Sequence, residues 1–460
     1  MESSDIKKTG KTSGFYSLLI GSGINQLATD DHELFSILEE EYERQSSELV
    51  MVASSSVVQP SVLVCSASTA VNVTAEGYPG KRYHAGCRVI DKIEQLAIDR
   101  ALEVFNAKYA NVQPHSASTA NFTVLTSLLN HGDTLLGMSM HAGGHLTHGA
   151  GVSFSGQFFD AHGYGLTPDG FVDYDEVEKL AIKVKPKVII CGATMYPRTL
   201  DFKRFREIAD RVGAFLMADI SHVSGLVIQG LHPNPLDHAH VTTTCTHKQL
   251  LGPRGGLIMC GNDYKAKIPH KNISLGKNFQ SAVFPFSQGA PIMNMIAAKA
   301  RALAYAKTDA FRQITLRITG NARTLAAAFL DMGFKLVSGG TDTHIVMLDL
   351  SPLGITGYNA EKALEQCSII VNKNLVPGDK KPPTITSGIR IGTNTLAQRN
   401  LLDKDVKTCA SLIHEVIMNI KATGDTEFTL DPGIVQSVRE KVKELCLKYP
   451  IPYNFQPPAN

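Results

Sequence analysis

The chain has 460 residues, 43% of them hydrophobic, enough for large cores, and its formal net charge of +2 gives no electrostatic reason to expect nucleic acid as a partner. Its eight cysteines are scattered, with no Cys-Xaa-Xaa-Cys and no disulfide-like spacing, so reduced thiols and a cytoplasmic location are expected. No apolar run approaches the roughly 18 residues of a membrane span, and Met1 to Gly10 lack the apolar centre of a secretory signal, so no membrane partner is expected.

In chain order, Met1 to Gly14 reads as a polar, loose start. Gly10-Lys11-Thr12 is no P-loop, because the required earlier glycine position holds Asp5. Gly21-Ser22-Gly23 lacks the third glycine of a dinucleotide fingerprint. Asp30 or Asp31 can cap a helix carrying Leu34, Ile37, Leu38 and Tyr42 at helical spacing. Asp91 to Ala107 is amphipathic, with Ile93, Leu96, Ala97, Ala101 and Phe105 on one side. Gln113-Pro114-His115-Ser116-Ala117-Ser118-Thr119-Ala120-Asn121 then opens a helical run to Leu129, and small hydroxyl residues at a helix start leave backbone N–H groups for an anion. His141, His145 and His148 do not suggest a metal: Gly143-Gly144 breaks any helix aligning the first two, and no carboxylate has metalloprotease spacing.

From Asp173 helix and strand alternate: Tyr174 to Val184 helical, Lys187 to Cys191 strand, Phe202 to Val212 helical, Ala214 to Asp219 strand. Such alternation predicts a mainly parallel sheet with covering helices, whose ligands gather at the strand C-termini. Pro291 to Lys307 reads as an apolar helix joining two lobes. Lys335 to Val337 and His344 to Leu350 read as strands of a smaller α/β unit, and the proline-rich tail from Asp431 to Asn460 as a surface strap.

The chemistry concentrates at Val241 to Gly256, where a β-branched run ends on Thr246-His247-Lys248 and a Gly-Pro-Arg-Gly-Gly loop leads into the apolar run Leu257 to Cys260. A lysine pinned at a strand end can lose its proton by burial and attack a carbonyl. Ala214 to Asp219 likewise ends on a carboxylate, with His222 three residues on. A strand-end Lys and a strand-end Asp are what pyridoxal phosphate needs: a covalent partner and a counter-charge for its ring nitrogen.

Thr243-Thr244-Cys245-Thr246-His247-Lys248-Gln249-Leu250-Leu251-Gly252-Pro253-Arg254-Gly255-Gly256 resembles the cofactor-lysine motif of the serine hydroxymethyltransferases, a fold-type I pyridoxal phosphate family. Ala75 to Tyr83, Asp91 to Arg100, Ala110 to Ser116, Gly143 to Gly149, Asn374 to Pro377 and Thr386 to Arg390 resemble further family blocks, and the likeness runs from roughly Asp31 to Pro450. The resemblance implies that Lys248 holds the cofactor covalently. Asp219, His222, His247 and Thr194 would contact it, His145 would stack on its ring, and Ser116, Ala117, Ser118 and the backbone of Ala290 would bind its phosphate. Ser54 and Arg390 match residues that grip the substrate carboxylate. Glu76 matches an acid–base carboxylate supplied across a dimer interface; with Tyr83, Leu146, Phe284 and Asn374 it also matches the folate contacts. Thr74 and His84 stand where the family has active-site tyrosines; they empty space beside the substrate and put an imidazole where a phenol is expected.

The expected architecture is α/β, an aspartate aminotransferase-like fold-type I transferase. Residues 1–87 would form an N-terminal arm, 88–306 the large cofactor domain with a mainly parallel sheet, and 307–460 the small C-terminal domain. The expected activity is hydroxymethyl transfer between serine or α-methylserine and glycine or alanine, with tetrahydrofolate as co-substrate, in a homodimer or a dimer of dimers. The alternatives are a folate-independent aldolase or transaldolase acting on threonine-like amino acids and, remotely, a non-catalytic cofactor-binding homologue.

Overall fold

The computed structural model describes residues 13–269 and 271–453. Most of the polar start, with its rejected P-loop triplet, lies outside the described residues, as do Pro457 and Pro458 of the tail.

One sheet dominates. Its strands are β1 (Tyr109–Asn111), β2 (Thr134–Met138), β3 (Asp160–Tyr164), β4 (Val188–Cys191), β5 (Phe215–Asp219), β6 (Val241–Cys245) and β7 (Gly256–Cys260), in spatial order β1-β7-β6-β5-β4-β2-β3. The pairs among β2, β3, β4, β5 and β6 are parallel, and β7 runs antiparallel to both its neighbours. The reversal fits the connection through Lys248, which holds no helix and falls short of the about a dozen residues that a parallel crossover needs. Every residue of β4, β6 and β7 is buried, which explains why these strands read as unbroken apolar or β-branched runs: helices cover both faces.

The helix Phe202–Val212 shows how the covering layer is written. Phe202, Phe205, Ile208 and Ala209 fall on one stripe and are buried. The Asp201 carboxylate accepts from the Arg204 N–H, and Gly213 (φ 71°) ends the helix in the left-handed region. Such an N-cap contributes about 1 kcal/mol. Asp31 caps His32–Ser47 in the same way, and Arg88–Phe105 lays Ile90, Ala97, Ala101 and Phe105 into the core.

A second, antiparallel sheet follows: β8 (Lys335–Leu336), β9 (Ile345–Asp349), β10 (Asn372–Asn374) and β11 (Gly388–Gly392), in order β8-β9-β11-β10. The helices Asp309–Asp331, Gly357–Gln366 and Asp403–Met418 share its core. Leu49–Val50 pairs in parallel with Ile369–Ile370, so this end of the N-terminal segment is built into the second core. The expected helix over Pro291 to Lys307 is Met293–Tyr305, with Asp309–Asp331 following it.

The tail departs from expectation. Pro432–Lys448 is a 17-residue helix rather than a strap, with Val438, Val442, Leu445 and Cys446 buried. Pro432 sits at its first turn, where proline's missing N–H costs nothing, and Asp431 caps it. No helix among the described residues is long and apolar enough to cross a membrane.

Candidate active site

Five parallel-oriented strands end at one cleft of about 1070 Å³. Ser116 follows β1, His145 follows β2, Thr194 follows β4, Asp219 ends β5, and Lys248 lies just beyond β6; all of them line the cleft. This is where a doubly wound sheet concentrates its ligand groups. Ser54, Ala117, Ser118, Leu146, His222, His247, Asn374 and Arg390 line it too.

Lys248 is anchored through its backbone. Its carbonyl accepts from Ser56 Oγ at 2.7 Å and from the Leu251 N–H at 3.1 Å, and Leu251 adopts φ 53° to close the turn. Burial pushes the Lys248 ammonium below its ordinary range, against the pull of Cys245 and Asp219. The loop packs tightly on the anion turn: a Cβ on Gly256 would sit 2.3 Å from the Ser116 carbonyl, so only glycine fits there. Lys299, fully buried, donates to the carbonyls of Val112, Pro114 and Gly256 at 2.7, 2.9 and 3.0 Å, joining the approach to the anion turn to the start of β7.

Burial alone would raise the Asp219 carboxyl, but hydrogen bonds from His148 and Ser221 and the nearby imidazoles hold it well below the usual carboxylate range. Its Oδ2 accepts from Asn121 Nδ2 at 2.8 Å and from His148 Nε2 at 3.1 Å, and its Oδ1 accepts from the Ser221 N–H at 3.0 Å. His148 Nδ1 in turn accepts from the His145 N–H, which fixes the tautomer that donates to Asp219. Asn121 is oriented by Thr243 Oγ1, which donates to its Oδ1 at 2.7 Å.

His145 accepts the Thr147 N–H at Nδ1, and burial brings its pKa down to about 4, so the ring is neutral at physiological pH. Burial also lowers His247, to about 4, and His222. His222 stacks on His344 at 5.6 Å between ring centroids. Arg390 spans the two units: on β11, it donates through Nε to Asn372 and through Nη1 to the Thr194 carbonyl, and Nη2 has no partner among the described residues. Burial lowers its guanidinium to about 10, still charged at neutral pH. The Thr194 hydroxyl donates to the Gly143 carbonyl at 3.1 Å, joining the loops after β4 and β2. Ser116 is the N-cap of Ala117–Leu128, its hydroxyl accepting from the Thr119 N–H at 3.0 Å, so what that turn offers an anion is backbone N–H.

Glu76, Tyr83, His84, Thr74, Phe284 and Ala290 do not line the cleft of their own chain. Several gather elsewhere, on and around the hairpin Gly77–Tyr78/Lys81–Arg82: Glu76 Oε2 lies 3.3 Å from His84 Nε2, and the rings of Tyr83 and Phe284 meet edge to face at 5.5 Å. Sequence reasoning missed Asn121 and Thr243 as supports of Asp219 and passed over His148 after dismissing a metal. No group of three or more metal-binding side chains occurs among the described residues.

A largely buried lysine just beyond β6 and a buried, charged aspartate at the end of its neighbour β5 share one cleft with the N–H groups that open Ala117–Leu128, so this α/β fold gathers a cation, an anion and an anion-ready helix start at its strand ends. The family model for serine hydroxymethyltransferase (SHMT) matches residues 27–413, and the chain belongs to that family. The family is fold-type I and pyridoxal phosphate-dependent, and its chemistry is hydroxymethyl transfer.

The residues present fit that cofactor. The cleft-lining His222 and His247 each carry a buried Nδ1 with no hydrogen-bond partner among the described residues, available to a polar ligand. The anion turn suits a phosphate, and the charge held on Asp219 suits a protonated ring nitrogen.

Proposed function

We propose that this chain is a pyridoxal phosphate-dependent hydroxymethyltransferase that moves a one-carbon unit between a β-hydroxy amino acid and tetrahydrofolate. The observation carrying the reading is Lys248, stripped toward its neutral form at the end of β6, in one cleft with the charged Asp219 and the ligand-ready Arg390. The bound cofactor supplies an electron sink for the pair released at Cα.

Lys248 presents the nitrogen that holds the cofactor, and Asp219 is the counter-charge that keeps a ring proton in place. His145, neutral, offers a flat face for the ring, and the first turn of Ala117–Leu128 takes the phosphate together with the backbone of Ala290, which, lying off its own cleft, a second copy supplies. Arg390 and Ser54 orient the substrate carboxylate; a planar guanidinium suits this because it binds in a two-pronged fashion. Glu76 moves the proton at the substrate hydroxyl. Since it lies off its own cleft, a second copy supplies it, together with Tyr83 and Phe284, which with Leu146 and Asn374 form the folate contacts. The assembly is a homodimer or a dimer of dimers.

Between serine and α-methylserine, Thr74 and His84 favour the bulkier substrate, because two smaller side chains replace two tyrosine rings. The test supplies purified protein with pyridoxal phosphate and, in turn, L-serine, α-methylserine and L-threonine, with and without tetrahydrofolate. The reading predicts folate-dependent cleavage of α-methylserine ahead of serine. Aldehyde release from threonine at the same rate without folate would assign an aldolase instead.

A further inference from the structure

We propose that Glu76 and His84 act as one proton-transfer couple, the imidazole relaying the proton that the carboxylate handles. The inference rests on the hydroxymethyltransferase reading, deepening its account of acid–base work. The contact is direct, Glu76 Oε2 to His84 Nε2 at 3.3 Å, and both side chains are partly exposed (37% and 45%), open to a substrate and to water.

The frame around the pair is fixed. Gly77, at φ 93°, turns the chain directly after Glu76, and a Cβ there would meet the Lys81 carbonyl at 2.4 Å. Arg82, whose side chain is only 3% exposed, donates to the carbonyls of Ala75 and Gly77 on either side of Glu76, and to Asp91 and Glu94 on the following helix. The Tyr83 N–H donates to the Glu76 carbonyl at 3.1 Å, so the backbone just before His84 is tied to that of Glu76. From the facing loop comes Gly289, where a Cβ would stand 3.3 Å from Glu76 Oε1, so a residue without a side chain lies beside that oxygen. Of the hairpin's own cations, Arg82 is turned inward onto Asp91 and Glu94, and Lys81, one residue before it, stands opposite Tyr78; the His115 ring lies against the Ala290 backbone.

In the releasing direction, the β-hydroxyl proton of the substrate passes to Glu76 as the Cα–Cβ bond breaks. The O–H electron pair becomes the new C=O bond, and the Cα–Cβ pair stays on Cα. The proton then crosses from Glu76 Oε2 to His84 Nε2 and on to water, leaving the carboxylate ready to act again. In the reverse direction the same path returns it.

The test uses full-length protein loaded with cofactor, comparing wild type with His84→Gln and Glu76→Gln across pH, using whichever amino acid the wild type cleaves. The couple predicts that His84→Gln lowers kcat about 10- to 100-fold with KM within about twofold, and removes one ionisation from the kcat–pH profile. Added imidazole would restore part of the rate to His84→Gly. A His84→Gln variant keeping wild-type kcat and profile would overturn the proposal, as would no rescue by imidazole. A second readout needs no turnover: at fixed pH the ring-nitrogen NMR shifts of His84 move on Glu76→Gln if the groups are paired, and unchanged shifts overturn the pairing. Wild type that cleaves none of the amino acids would refute the hydroxymethyltransferase reading, while the NMR comparison still decides the pairing.

Discussion

Asp219 keeps its charge in surroundings that would otherwise remove it, because Asn121, His148 and the Ser221 N–H all donate to its two oxygens. Around it lie imidazoles that burial holds neutral: His145 at about 4, His247 at about 4 and His344 at about 3. The sign of the pH dependence follows. In the unfolded chain a histidine takes a proton below about 6.5, which the folded ring refuses until much lower pH. The unfolded state therefore binds more protons, and stability falls as pH drops from about 6.5 toward 4. The lowered Asp219 carboxyl adds a loss in the same direction below its unfolded value of 3.8. Thermal melts of cofactor-free protein should show Tm falling through that window; a Tm flat from pH 6.5 to 4 would contradict these neutral buried rings. Lys248 and Asp219 were legible in the sequence because each ends a β-branched or apolar run. Asn121 and Thr243 were not, since their roles exist only once residues about a hundred positions apart meet across the sheet.

Among the elements, the hairpin that carries Glu76 depends on one arginine. Arg82 holds two carboxylates, Asp91 and the buried Glu94, and two backbone carbonyls. Replacing it with Met leaves Glu94 buried beside Gln113 alone, a loss of about 3–5 kcal/mol for a broken buried pair. Arg82→Met is expected to lower the unfolding free energy from denaturant titration by that amount and to cost turnover; a loss below about 1 kcal/mol would show that the hairpin stands without it. Helices and strands from Asp173 to Asp219 were readable almost to the residue, because their periods of 3.6 and their buried runs were clean. The C-terminal helix was not, because prolines drew attention from the Val438, Val442, Leu445 stripe that buries it.

Across the whole molecule, the residues matched to catalysis fall into two groups, one in the cleft and one off it. If a second copy supplies Glu76, as proposed, a quantitative forecast follows. Lys248→Ala and Glu76→Gln are each expected to be nearly inactive alone. Mixed in equal amounts and allowed to exchange subunits, they should regain about a quarter of wild-type activity, because half the dimers carry one intact site of two. No recovery after confirmed exchange would mean that each chain uses its own Glu76. The separation of the two groups could be inferred from the sequence only through family likeness, since spacing says nothing about which copy a side chain serves.

The most direct test of the account is to reduce the cofactor-loaded protein with borohydride, digest it and locate the attached cofactor by mass spectrometry. The account predicts the label on the peptide containing Lys248 and its loss in Lys248→Ala. A label on another lysine, such as the buried Lys299, or no label at all, would contradict it.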